Sequence, residues 1–67
     1  MRDIEAIAAS MREPKVRDIR MLKNIKDEKE QEIELIANLS GLTKDELDEL
    51  SLKEYGVLQK RLASFLS

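Results

Sequence analysis

The chain has 67 residues, 42% of them apolar and 39% charged, with a net charge of −2, a balance that belongs to folded domains rather than disordered ones. It contains no Cys and no His, which excludes disulfides, thiol nucleophiles, imidazole acid–base chemistry and His/Cys zinc sites together and makes an enzyme the least expected class. No apolar run approaches the about 20 residues of a membrane span, and Asp3 and Glu5 stand where an export signal has its apolar stretch, so one cytosolic domain over residues 1–67 is expected.

In chain order, Ile4, Ile7, Ala8 and Met11 recur at helical spacing and predict a short amphipathic helix over residues 3–11. The alternation of Ile4, Ala6 and Ala8 also admits a weak strand, and residues 1–10 are expected to form a loosely attached N-terminal segment. Glu13-Pro14 then interrupts. Proline suits a first helical position, so a second helix is predicted from Pro14 to about Ile25, with Val16, Ile19 and Leu22 inward and Met21 and Ile25 widening that side. Lys26-Asp27-Glu28-Lys29 is either a polar connection or the solvated first turn of the next helix, with Asp27 as its N-cap. From Glu28 to Ser40, the residues Ile33, Leu35, Ile36, Ala37 and Leu39 cover about 200° of the helical wheel. That width suits a central helix, or one that shows an edge to a partner. Gly41 ends it at the left-handed position. Two capping boxes follow, Thr43 to Glu46 and Ser51 to Glu54, each opening a helix whose buried faces come from Leu47 and Leu50, then Tyr55, Leu58, Leu62, Phe65 and Leu66. The predicted fold is all-α, a small bundle of four to five short helices.

Charge is divided along the chain. Residues 1–26 carry a net +3, residues 27–54 a net −7 and residues 55–67 a net +2. Such a chain can fold back on itself, attract a second copy head to tail, or meet a polarised partner. Asp45, Glu46, Asp48 and Glu49 lack the spacing of a calcium loop and read as a helix start and its solvated face, so no metal or other cofactor is expected. Residues 34–50 superficially match a helix-turn-helix, but the would-be reading helix holds four acids against one lysine and would repel phosphate. The basic stripe of Arg12, Arg17, Arg20 and Lys23 has no interleaved aromatic platform, so nucleic acid is not the expected partner. Met21, Ile25, Leu35, Val57 and Leu66 lie at the margins of their stripes. Each also fits a core position, but in so small a bundle they are the candidate partner-binding residues, for an amphipathic helix or for a second copy.

Several of these elements occur in a recognisable order. Met11 to Arg20 around Arg12-Glu13-Pro14, a charged interval, Leu35-Ile36-Ala37-Asn38-Leu39-Ser40-Gly41-Leu42-Thr43, Asp45 to Leu50, and Leu52-Lys53-Glu54-Tyr55 together resemble the tail assembly chaperones of Mu-like and P2-like bacteriophages. The resemblance covers about residues 11–66; ahead of the Arg-Glu-Pro element the family has strand-like sequence, where this chain reads as helix. It implies a non-catalytic protein of the bacterial host cytoplasm, made during phage or prophage morphogenesis. Such a protein binds the long, helix-rich tape measure protein, keeps it soluble while tail tube subunits are recruited, and is absent from the finished particle. The alternatives are a small helix-turn-helix-like DNA-binding regulator and a structural tail component that persists in the virion.

Overall fold

The computed structural model describes residues 3–66 and contains, among them, five helices and no strand: α1 (Ile4–Ser10), α2 (Val16–Arg20), α3 (Glu28–Ser40), α4 (Lys44–Asp48) and α5 (Leu52–Leu66). Their starts follow local chemistry. Asp3 accepts from the Ala6 N–H, and Asp27 accepts from the Lys29 N–H at 2.8 Å. Both capping boxes close: Thr43 and Glu46 exchange side-chain-to-backbone bonds of 3.1 and 2.9 Å, and Ser51 and Glu54 repeat those distances. Gly41 ends α3 at φ 80°, its N–H bonded to the Ala37 carbonyl at 3.0 Å. A Cβ there would meet no atom within 4 Å, so only the left-handed backbone opposes a side chain. Gly41→Ala is therefore expected to cost about 1 kcal/mol and to lower the melting temperature by about 4–8 °C, measured by circular dichroism.

The wide stripe of α3 is that of a central helix. It packs against all four others, burying Leu35, Ile36 and Leu39, with Ile33 and Ala37 half-buried beside them. Leu58 and Leu62 of α5, Leu47 of α4, Leu22 after α2, and Ala8 and Met11 of α1 and its cap complete the buried cluster. Between α3 and α5, the Glu32 carboxylate accepts from Tyr55 Oη at 2.9 Å and Gln59 Nε2 at 2.8 Å. Burial and this bond hold the Tyr55 phenol protonated above its ordinary range.

Residues 4–10 are not a loose segment. α1 is a helix rather than a strand and packs on α5 and α3, because Ala8 is small enough to bring the backbones close and Met11 follows it into the core at 4% exposure. Residues 1–2 lie outside the described part. The radius of gyration, 11.3 Å, matches the about 11 Å of a packed chain of this length.

The second helix is shorter than predicted and is turned differently. Pro14 stays in the extended connection, α2 spans only Val16–Arg20, and from Met21 the chain tightens into turns whose Leu22, Lys23 and Ile25 N–H groups bond three residues back. Its inward side is Asp18 and Leu22, whereas Val16 and Ile19, expected inside, are 76% and 52% exposed.

Candidate partner-binding surface

A buried carboxylate sets the orientation of α2. Asp18 is 1% exposed and receives a two-pronged bond from the Arg12 guanidinium, at 2.9 and 2.7 Å, together with the Lys15 N–H at 2.8 Å. These donors satisfy the carboxylate, so burying it is tolerable. They also hold its pKa at about 2, below the ordinary 3.8, with the Arg12 bond the largest cause. The Arg12 N–H in turn bonds the Leu39 carbonyl at 3.2 Å, tying the α1–α2 connection to the end of α3.

Turning Asp18 inward leaves the apolar residues of α2 uncovered on more than one side of the helix. Val16, Ile19 and Met21, the last 56% exposed, stand clear of the core within six residues of sequence. Arg17, Arg20 and Lys23 surround Met21 in a shallow depression. Among the described residues the ion pairs are Arg12–Asp18 and Lys44–Glu34, the latter at 2.6 Å, and none of the three cations around Met21 makes one there. The depression sets the one apolar side chain of Met21 among three cations, a chemistry suited to a segment that carries carboxylates, while Val16 and Ile19 are exposed on another side of α2.

Two further concavities lie elsewhere. One, between α1 and α5, has Ala8 and Ala9 on its floor and Val57, Lys60 and Arg61 on its wall, with the Arg61 guanidinium 4.6 Å from the centre of the Phe65 ring. The other is bounded by Ile33, Leu47, Leu50, Leu52 and Tyr55 and rimmed by Asp48. Leu52 is 90% exposed there, although it opens α5.

The residues singled out by sequence do not form one surface. Met21 belongs to the α2 depression, Val57 is half-buried in the α1–α5 concavity, and Leu66 is 63% exposed at the far end of α5. Ile25 is half-buried against the core. Leu35 is corrected outright: at 5% exposure it is a core residue, because all sides of α3's wide stripe are covered by neighbouring helices. Val16, Ile19 and Leu52 are exposed although the spacing did not offer them as surface residues. The signal for the first two was an aspartate six residues after an arginine across a proline, a pair able to close over the connection and claim the inner position.

Among the described residues no group of three acids could hold a metal ion, and no helix is long and apolar enough to cross a membrane. α4 is one and a half turns long with Asp45, Glu46 and Asp48 against Lys44, whose ammonium is engaged by Glu34. As a reading helix it would meet phosphates with like charge. A family model described as phage tail assembly chaperone proteins, E, or 41 or 14, matches residues 4–67. Neither a curated protein nor a solved structure matches the chain.

Proposed function

Because this chain belongs to the phage tail assembly chaperone family, we propose that it binds the tape measure protein during tail morphogenesis, without catalysis, in the cytoplasm of the bacterial host. The observation that supports this reading is the exposed apolar surface left on α2, with Met21, 56% exposed, set among Arg17, Arg20 and Lys23, and Val16 and Ile19, 76% and 52% exposed, on another side of the same helix. A tape measure protein awaiting its tube exposes long amphipathic helices that associate through their apolar stripes. A small partner can cover such a stripe segment by segment, and a methionine at its centre adapts to varied side chains while the surrounding charge keeps the complex soluble. The tail tube protein enters after this step, replacing the chaperone, which leaves before the particle is complete.

The test uses a double variant, Ile19→Asp with Met21→Asp. Both side chains are exposed, so the fold is expected to hold to within about 0.5 kcal/mol. Co-expressed with the tape measure protein, the variant is expected to leave it in the insoluble fraction, whereas the unaltered chain keeps it in solution. A variant that stays folded and still solubilises the tape measure protein removes the α2 surface from the account.

A further inference from the structure

The concavity between α1 and α5 carries donors that the chain itself leaves unused. Glu5, Ala8 and Ala9 recur at i, i+3 and i+4 on α1, and Val57, Lys60 and Arg61 at the same spacing on α5, so each wall is one face of one helix. The groove holds about 560 Å³, room for several side chains of a helix rather than for a single ion. Its floor is alanine, which lets a third helix approach closely. Among the described residues Lys60 and Arg61 make no ion pair, with Glu5 or with any other acid. Arg61 is nevertheless held in place, its guanidinium 4.6 Å from the centre of the Phe65 ring one turn further along α5. Its Nε is shut off from water, and no described atom accepts a hydrogen bond from it. A donor so placed is costly until something accepts from it.

We propose that this groove docks a helix of another protein that presents an Asp or Glu from the edge of an apolar stripe. A carboxylate matches the two-donor edge of a guanidinium and supplies the acceptor that Arg61 Nε lacks. Lys60 adds a second cation on the same wall, while the alanine floor and Val57 take the flanking apolar side chains. Phe65 has already fixed the guanidinium, so less side-chain freedom is lost when the partner arrives. Glu5, the one acid of the lining, repels a helix that is acidic all round, so the partner turns its carboxylate toward α5 and an uncharged side toward α1. The proposal goes beyond the tape measure reading, since it uses none of the exposed residues of α2, and it holds or fails separately.

Heteronuclear NMR of the whole chain reads the groove directly, because the Arg61 Nε–H and the Ala8 and Ala9 amides each give a signal. The probe is a peptide of about 20 residues, long enough to hold a helix, made of alanine with glutamate at every fourth position; its glutamine counterpart is the control. The glutamate peptide is expected to shift all three signals to saturation. The glutamine peptide, and acetate at the same carboxylate concentration, are expected to leave them in place. Lys60→Glu, at an exposed position, is expected to weaken the glutamate peptide about tenfold with the circular dichroism spectrum unchanged, and Lys60→Arg to keep it. Ile19→Asp with Met21→Asp is expected to bind the peptide as the unaltered chain does, which separates this groove from the α2 surface. The proposal is overturned by signals that stay in place with the glutamate peptide, by a glutamine peptide that binds as well, or by binding indifferent to Lys60→Glu. Acetate that shifts the signals as far also overturns it, since that marks an adventitious ion only.

Discussion

Ile36→Ala is expected to abolish cooperative unfolding of this chain. Ile36 is fully buried at the centre of α3, the helix that touches every other one. Truncating such a residue costs about 2–5 kcal/mol, the lost transfer energy plus the cavity left behind. A bundle of this size holds only about 3–5 kcal/mol in all when no disulfide or metal supports it. The cost is therefore comparable with the whole stability, and the thermal transition seen by circular dichroism should flatten into a gradual loss of signal. Leu58→Ala, equally buried on α5, should behave alike. Leu52→Ala provides the contrast: at 90% exposure it is expected to move the stability by no more than about 0.5 kcal/mol. A sharp transition for Ile36→Ala within a few degrees of the unaltered chain would contradict the central place given to α3.

The second large effect falls on Asp18. Asp18→Ala removes the acceptor shared by the Arg12 guanidinium and the Lys15 N–H, at an expected cost of about 2–3 kcal/mol, since bonds to a charged group are the strong ones. The clasp also makes a pH prediction. With its folded pKa lowered from 3.8 to about 2, Asp18 contributes stability that is fully present above its ordinary pKa and is lost as pH falls through the folded one. Acid destabilisation between about pH 4 and pH 2 should thus be shallower in Asp18→Asn than in the unaltered chain. Arg12→Ala leaves a buried carboxylate without its main partner, and adding Asp18→Asn to it should restore part of what Arg12→Ala loses, a sign of coupling that independent sites do not show. Urea titrations of the four proteins at neutral and acid pH read both effects.

What the sequence made legible was local or periodic. Asp27, Thr43 and Ser51 cap helices because each carries its acceptor within three residues of the donor. Gly41 stops α3 because it alone adopts the left-handed turn without strain, and the breadth of apolar positions along α3 already announced a helix covered on several sides. The all-helical class follows from these signals. The orientation of α2 does not, because it is decided by an arginine beyond a proline, a backbone amide of Lys15 and a carbonyl at the end of α3. Apolar spacing placed Val16 and Ile19 inside, where a fully bonded aspartate stands instead. Leu35 was misjudged for a related reason: on a helix wheel the edge of a wide stripe looks exposed, yet the neighbouring helices cover it. The docking of α1 depends on Ala8 meeting α5, a contact between residues some fifty positions apart, for which periodicity gives no sign.

Of the residues that the spacing offered for a partner, Met21 and Leu66 are exposed and Leu35 is buried. A stripe margin identifies residues that packing leaves to spare, but which of them remain uncovered depends on how each helix is turned. That turning is the work of Asp18 here, so the same pair that stabilises the chain also presents Val16, Ile19 and Met21 to solvent.

The most direct measurement is co-expression of the unaltered chain with the tape measure protein of the same phage element, followed by size-exclusion chromatography with mass determination on the soluble fraction. Binding predicts a soluble tape measure protein that co-elutes with this chain at a fixed ratio. An insoluble tape measure protein beside a free, folded chain would contradict the account.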